Sequence, residues 1–300
     1  VQRGGTRVFE LAFSPDVYDY GSTDLTALNP PIGQPQIVRM AVQRQPDTRI
    51  HCVLSDGTVA VLVHDRAENV LAWLKITSTG ASGLVEDVVV LPGAVGENED
   101  QVYYVVNRTV NSATVRYLEK WAMEEDCVGA TTNLLADSYI TYSGAATTTL
   151  TGLTHLEGAT VVVWGNGKDL GTKVVSSGQI TGLSEAVTTA VVGLGYTAQW
   201  KSAKLGQALS VHKHIDHIAL VLANTHYQGL EFGPDFTNMD YLPLVDNGTA
   251  VAADSIYSTY DREPIEFPGT WDTDARICLQ ATAPRPCTVL AAVIDGEVHE

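Results

Sequence analysis

Arg49-Ile50-His51-Cys52-Val53-Leu54-Ser55-Asp56-Gly57-Thr58-Val59-Ala60-Val61-Leu62-Val63-His64 holds two apolar runs about one Asp-Gly. Short apolar runs divided by polar residues read as strands, and Asp-Gly between them is a hairpin signal. A two-residue type I′ turn needs φ > 0 at both central residues, which Asp-Gly tolerates. The pattern continues downstream. Asp65 to Asn69 is a polar turn, Val70–Ile76 a third strand, and a Gly/Ser/Thr loop leads to Val85–Leu91, which Pro92-Gly93 stops. Gln101–Arg108 and Ala113–Trp121 complete the series. Sequential short strands joined by tight turns form a meander, with the spacing of propeller blades or of an open sandwich.

Upstream, Thr6–Phe13 and Gln36–Val42 read as strands, with an irregular stretch between them that ends in Asn29-Pro30-Pro31-Ile32-Gly33. Two consecutive prolines favour an extended, exposed connector. At about four strands per blade, residues 1–134 supply roughly two to three blades, too few to close a ring. Either further blades precede Val1 or this region is an open sandwich. Val1-Gln2-Arg3-Gly4-Gly5 shows neither an initiator Met nor a signal-peptide pattern, so a fragment or processed chain is expected.

Glu119 to Ala136 is the best helix candidate, with Glu124-Glu125-Asp126 as a turn or short solvated face. Residues 137–202 are rich in Thr, Val, Gly and Ser. Strands are expected at Ser138–Tyr142, Thr148–Leu150, Thr160–Trp164, Thr172–Val175, Gln179–Thr181 and Ala190–Gly193, with Gly165-Asn166-Gly167 as a hairpin turn. So many short strands in so little chain predict a small barrel. Ala208 to Asn224 alternates and then becomes continuously apolar, as a long strand buried at its end does. Residues 225–270 read as an extended loop region with a strand at Thr249–Asp254 or Ser255–Tyr260. Ala275–Gln280 and Thr288–Ile294 close the chain as a hairpin across Ala283-Pro284-Arg285-Pro286. The expected fold is all-β: a propeller-like or sandwich meander over 1–135, a small inserted β-barrel over 136–203, and a C-terminal β-sandwich over 204–300.

With 300 residues, 45% hydrophobic and 18% charged, the chain is long and apolar enough to fold around a large core. No apolar run reaches the length of a membrane span. The net charge is −17 and the pI about 4.7. Residues 231–300 alone carry thirteen acids and three bases. Proteins that grip nucleic acid through phosphates need clustered Lys and Arg, so this class is excluded. The four cysteines, Cys52, Cys127, Cys278 and Cys287, lack zinc-ligand spacing. Cys278 and Cys287 are placed to face each other across the closing hairpin, but free buried thiols are the expectation.

His212, His214 and His217, with His226 downstream, form the one metal-like cluster. On a strand His212 and His214 share a face and would be the ligand pair, while His217 falls on the other face unless a bulge intervenes. No metal site is expected there: a polar strand face at a subunit contact or lumen fits better, and its protonation near pH 6 would place positive charge among acids. Asp272 and Asp274, with Glu263 and Glu266, raise a paired-carboxylate glycosidase reading, against which an exposed polar loop is preferred. Gly165-Asn166-Gly167 and Gly193-Leu194-Gly195 match neither a P-loop nor a dinucleotide fingerprint, and no G-x-S-x-G elbow occurs, so neither a cofactor nor catalysis is expected. Asn107-Arg108-Thr109 and Asn247-Gly248-Thr249 are formal sequons without a secretory context. Trp73, Tyr103, Tyr104, Tyr117 and Trp121 suit sugar binding or, more commonly, core and interface packing.

The segments Cys52–Ile76, Val85–Gly93 and Val102–Trp121 resemble the tail nozzle, or tail-tube, proteins of short-tailed bacteriophages. The shared pattern is a D-G-T hairpin, a Trp-bearing strand, a V-x-x-V-x-V-x-P-G strand and an R-(I/V)-N-G-x-T-V-R-Y-I-E hairpin. Gly152–Lys168 resembles that family's small inserted β domain, likened to one in ubiquitin-activating enzymes, and Gly269–Val298 its closing hairpin. The resemblance spans roughly residues 35–298. It implies a structural virion protein, a homo-oligomeric ring, sixfold in relatives, joined to portal or adaptor and to tail fibre or spike proteins. DNA would pass through without specific binding, and no membrane partner is implied. An acidic wall would repel DNA and let it slide.

Overall fold

Val59-Ala60-Val61-Leu62 is wholly buried because both faces of its sheet are covered. In the computed structural model, which describes residues 1–77, 83–206, 210–246 and 248–299, the chain divides into two compact units, Val1–Met123 and Glu124–Glu300. The expected boundaries at 135 and 203 mark shifts in composition; contacts divide the chain once, at 123.

The first unit begins with an antiparallel ribbon of β1 (Phe9–Ser14) and β2 (Asp19–Asp24). A four-stranded meander follows: β3 (Ile37–Gln43), β4 (Arg49–Leu54), β5 (Val59–Asp65) and β6 (Val70–Ile76). Then come three strands, β7 (Leu84–Leu91), β8 (Gln101–Val110) and β9 (Ala113–Lys120). Val53, Val59 and Val61 pack against Val85 and Val106 between the two sheets. On the opposite face Cys52, Leu54, Ala60 and Leu62 are covered by Val8, Leu25 and Ile32. The unit is therefore a sandwich of two meanders, and no ring of blades closes within it among the described residues.

Three local expectations are corrected. The Asp-Gly hairpin forms, but Gly57 alone has positive φ, +81°, and its N–H donates to Leu54 O at 3.0 Å. That is a three-residue loop with glycine in the left-handed position, not a type I′ turn. A Cβ at Gly57 would also lie 2.7 Å from Leu84 Cβ. Pro30–Gly33 is a short 3-10 turn that buries Ile32 rather than an extended connector, since a fixed φ near −65° also suits a first helical turn. Glu119–Ala136 is not a helix. β9 runs through Lys120, which pairs with Tyr103 across the ladder while Glu119 forms an ion pair with Arg108 of β8, and only Glu124–Cys127 makes a 3-10 turn.

In the second unit β10 (Asp137–Thr147), β11 (Leu150–Thr151), β12 (Thr160–Gly165), β13 (Lys168–Val174), β14 (Gln179–Ile180) and β15 (Val187–Leu194) enclose one apolar core. Asn166 and Gly167 both take positive φ, 51° and 84°, so the expected hairpin there is type I′. The expected barrel does not close. β10-β15-β12-β13 is an open sheet beside the β11-β14 pair, and β16 (Thr197–Lys201) leaves to join another sheet.

β17 (His212–His226), the longest strand, begins just past Ala208 and Leu209, which lie outside the described residues. It is followed by β18 (Glu231–Asp235), β19 (Asn238–Tyr241), β20 (Val245–Asp246), β21 (Thr249–Ala250), β22 (Ile256–Asp261), β23 (Ile265–Glu266), β24 (Cys278–Thr282) and β25 (Thr288–His299). Residues 225–270 are thus short strands over about half their length rather than an extended loop. Sheet β16-β24-β18-β19 packs against β17 with its neighbours β22 and β23, and Ile218, Leu220 and Leu222 meet Phe232 and Leu279 between them, while β25 extends that sheet along β17 without joining this core. This is the expected C-terminal sandwich. β24 and β25 belong to opposite layers, so the expected closing hairpin is not one, and Cys278 and Cys287 are free.

Candidate functional site

β17 sends Ile215, Ile218, Leu220 and Leu222 into the core, and its other face is polar over the first part of the strand, where His212, His214 and His217 stand, and apolar beyond it at Ala219, Val221 and Ala223. Asp216 is one residue too many against β25: Ile215 pairs with Gly296 and His217 with Asp295. A bulge of this kind returns His217 to the face of His212 and His214. Among the described residues no group of three or more His, Cys, Asp or Glu is placed to hold an ion. His214 is engaged on both ring nitrogens, Nδ1 with Asp216 Oδ1 at 2.6 Å and Nε2 with Gly269 O at 3.2 Å. Its ring stacks on Trp271 at 5.5 Å. His217 lies opposite Glu266 on β23 and Asp295 on β25, and His214 opposite Glu297. The row is a histidine ladder set among carboxylates.

The four carboxylates proposed as a constellation are dispersed. Asp272 and Asp274 line a cleft of about 680 Å³ with Asp235, Asp240, Lys201 and Arg276, floored by Ile215 and Phe267. Glu263 lines a separate cleft of about 530 Å³, where the Arg262 guanidinium lies 5.7 and 5.5 Å from the Tyr257 and Tyr260 ring centres and pairs with Asp246. Glu266 is on β23. In the larger cleft Asp235, Asp272 and Asp274 already have partners. Asp274 accepts from Arg276 Nε at 2.8 Å, and this bond holds its carboxyl below the usual range. Hydroxyl and amide donors of Thr237 and Asn238 bring Asp235 to about 2. A general acid needs the opposite displacement.

The sequence reading missed two buried polar sites. In the first unit His51 Nδ1 meets Tyr104 Oη at 2.6 Å and its Nε2 meets Gln43 Oε1 at 3.1 Å. Trp121 covers the ring edge-on at 5.1 Å. His51 is fully buried, and burial lowers its pKa from 6.5 to about 4. The same burial raises the Tyr104 phenol and pushes the neighbouring Cys52 thiol up to about 12. In the second unit His226 is buried beside Tyr227 and Trp164, and its Nε2 faces Asp254 Oδ1 at 3.5 Å. Burial first, then Arg285, lowers its pKa. Arg285 in turn donates to Asp169 Oδ2 at 2.7 Å, tying the β12–β13 hairpin to the C-terminal sandwich. A histidine inside an otherwise apolar run was the available signal for His51. Three of the meander aromatics pack: Trp73 donates to Leu25 O at 2.8 Å, and Tyr104 and Trp121 pack against the valines between the sheets.

No helix among the described residues is long and apolar enough to cross a membrane. No protein-family model matches the chain, and no curated protein matches it.

Proposed function

We propose that this chain is a structural component of a bacteriophage tail, a nozzle or tail-tube protein forming part of the conduit through which DNA leaves. The observation that carries the reading is the ordered set of resembling segments, which lie on β4–β5, β6, β7 and β8–β9 as consecutive strands of two meanders. A charge of −17 on an all-β chain supports it, because an acidic wall repels phosphate and does not retain DNA. In this reading the protein works in the virion as a homo-oligomeric ring, sixfold as in the resembling family. It joins portal or adaptor and fibre or spike proteins and has no catalytic role. Electron micrographs of the purified protein test it: sixfold rings with an axial opening are expected, and particles that remain monomeric at high concentration count against it.

The second reading is a carbohydrate- or receptor-binding module of a virion. The larger cleft favours it, offering carboxylate, amide and hydroxyl groups of Asp235, Asn238 and Thr237 above an apolar Ile215 and Phe267 lining. A glycan array separates it from the first. A glycosidase is the weakest reading, because the displaced carboxylates of that cleft move away from the protonated state an acid catalyst needs.

A further inference from the structure

β25 is the least protected strand of the second unit. It runs for 12 residues, and every one of them is exposed. One edge pairs with β17 from His212 to Ala223, and no strand pairs with the other edge among the described residues. Open edges in native proteins are kept short or broken by Lys, Pro or inward charge. The block Val289-Leu290-Ala291-Ala292-Val293-Ile294 has none of these, and Leu290 and Val293 are 62% and 63% exposed. One bulge falls at Leu290 and the Asp216 bulge of β17 sits opposite Asp295 and Gly296; between them Ala291–Ile294 pairs in unbroken register. Unpaired backbone groups beside an apolar block are the requirements for strand addition.

We propose that this edge pairs with the same edge of a second copy of the chain, antiparallel, about a two-fold axis through the apolar block. A two-fold contact needs a patch complementary to itself, and Val-Leu-Ala-Ala-Val-Ile reads nearly alike in both directions. Charge sets the orientation. Asp295 and Glu297 lie beyond one end of the block only. Antiparallel pairing carries the two copies' carboxylates to opposite ends of the joint, whereas parallel pairing sets like charge beside like charge. The neutral middle offers a foreign charged strand nothing to select. The net charge of −17 opposes any close approach of copies, so the pairing strengthens as salt screens it. The inference does not rest on the conduit reading; it adds a two-fold joint whatever ring contacts exist.

The test uses the whole protein. Hydrogen exchange on the wild-type chain is followed across protein concentration, and amides of 289–294 are expected to gain protection as concentration rises. Light scattering should show the doubled mass more readily at 0.5 M than at 0.05 M salt. Leu290→Lys with Val293→Lys should weaken self-association at least tenfold, while Val174→Lys, equally exposed on β13, changes nothing. Ala292→Cys should cross-link to its own copy, and Thr288→Cys and Val298→Cys should not. Concentration-independent exchange, association indifferent to the lysine pair, or equal cross-linking at all three positions overturns the proposal.

Discussion

Val59-Ala60-Val61-Leu62 on β5 and Val289-Leu290-Ala291-Ala292-Val293-Ile294 on β25 have nearly the same composition and opposite fates. The first is buried at every residue; the second is exposed at every residue. β5 is an inner strand, hydrogen-bonded to β4 and β6, with apolar layers on both faces. β25 has one neighbour, and its side chains find no second layer. Equal hydrophobicity therefore produces a folding core in one place and an unfilled contact in the other. Position in the sheet order, not residue type, makes the difference.

The comparison can be broken first at the core. Leu62→Ala should cost about 2–5 kcal/mol, since it empties a fully buried site, whereas Leu290→Ala should stay within about 0.5 kcal/mol. Urea denaturation of dilute samples checks both, and equal losses would end the contrast. A second test uses pH on a buried residue of β4. The folded state holds His51 near 4 while the unfolded chain takes a proton near 6.5, so unfolding binds protons between these values. The stabilisation is complete above pH 6.5, falls as pH drops, and is gone below about 4, a loss of roughly 3 kcal/mol. His51→Gln should flatten that limb relative to wild type in paired melts from pH 7 to 4.

A smaller effect is expected at Asn133, whose buried side chain donates to Pro284 O at 2.6 Å and accepts from Gly129 N at 3.2 Å. Asn133→Ala should cost about 1–3 kcal/mol by leaving backbone groups unpaired. Chemical denaturation measures it. The smallest change in monomer stability is expected for Val293→Lys, within about 0.5 kcal/mol in dilute melts. Its effect should appear in the oligomeric state, which sharpens the comparison: the same class of residue governs folding on β5 and association on β25.

The strands of the first unit were legible because each apolar run ends at a polar turn; Val70–Ile76 matches its observed bounds, and Arg49–Leu54 does as well. β2, with the sequence Asp19-Tyr20-Gly21-Ser22-Thr23-Asp24, was not legible, since it has no apolar alternation and exists only by pairing with β1. β16, β18 and β19 were missed for other reasons: Thr197–Lys201 and Asn238–Tyr241 alternate but are only five and four residues long, and Glu231–Asp235 contains Gly233-Pro234. Of the candidate site residues, the His212–His214 face was anticipated, and so was the condition that would add His217. The partners of that face, Glu266, Asp295 and Glu297, come from strands far along the chain.

Local patterning by itself determined that this protein is built of antiparallel strands, because backbone groups in short apolar runs must pair with neighbours brought back by turns. Layering was decided by tertiary structure alone. It sent β24 and β25 to opposite sheets, left the small β region open, enclosed His51, and exposed Val289–Ile294. The physical reason is that burial depends on which remote strands cover a face and an edge, and those contacts leave no periodic mark on the segment they cover.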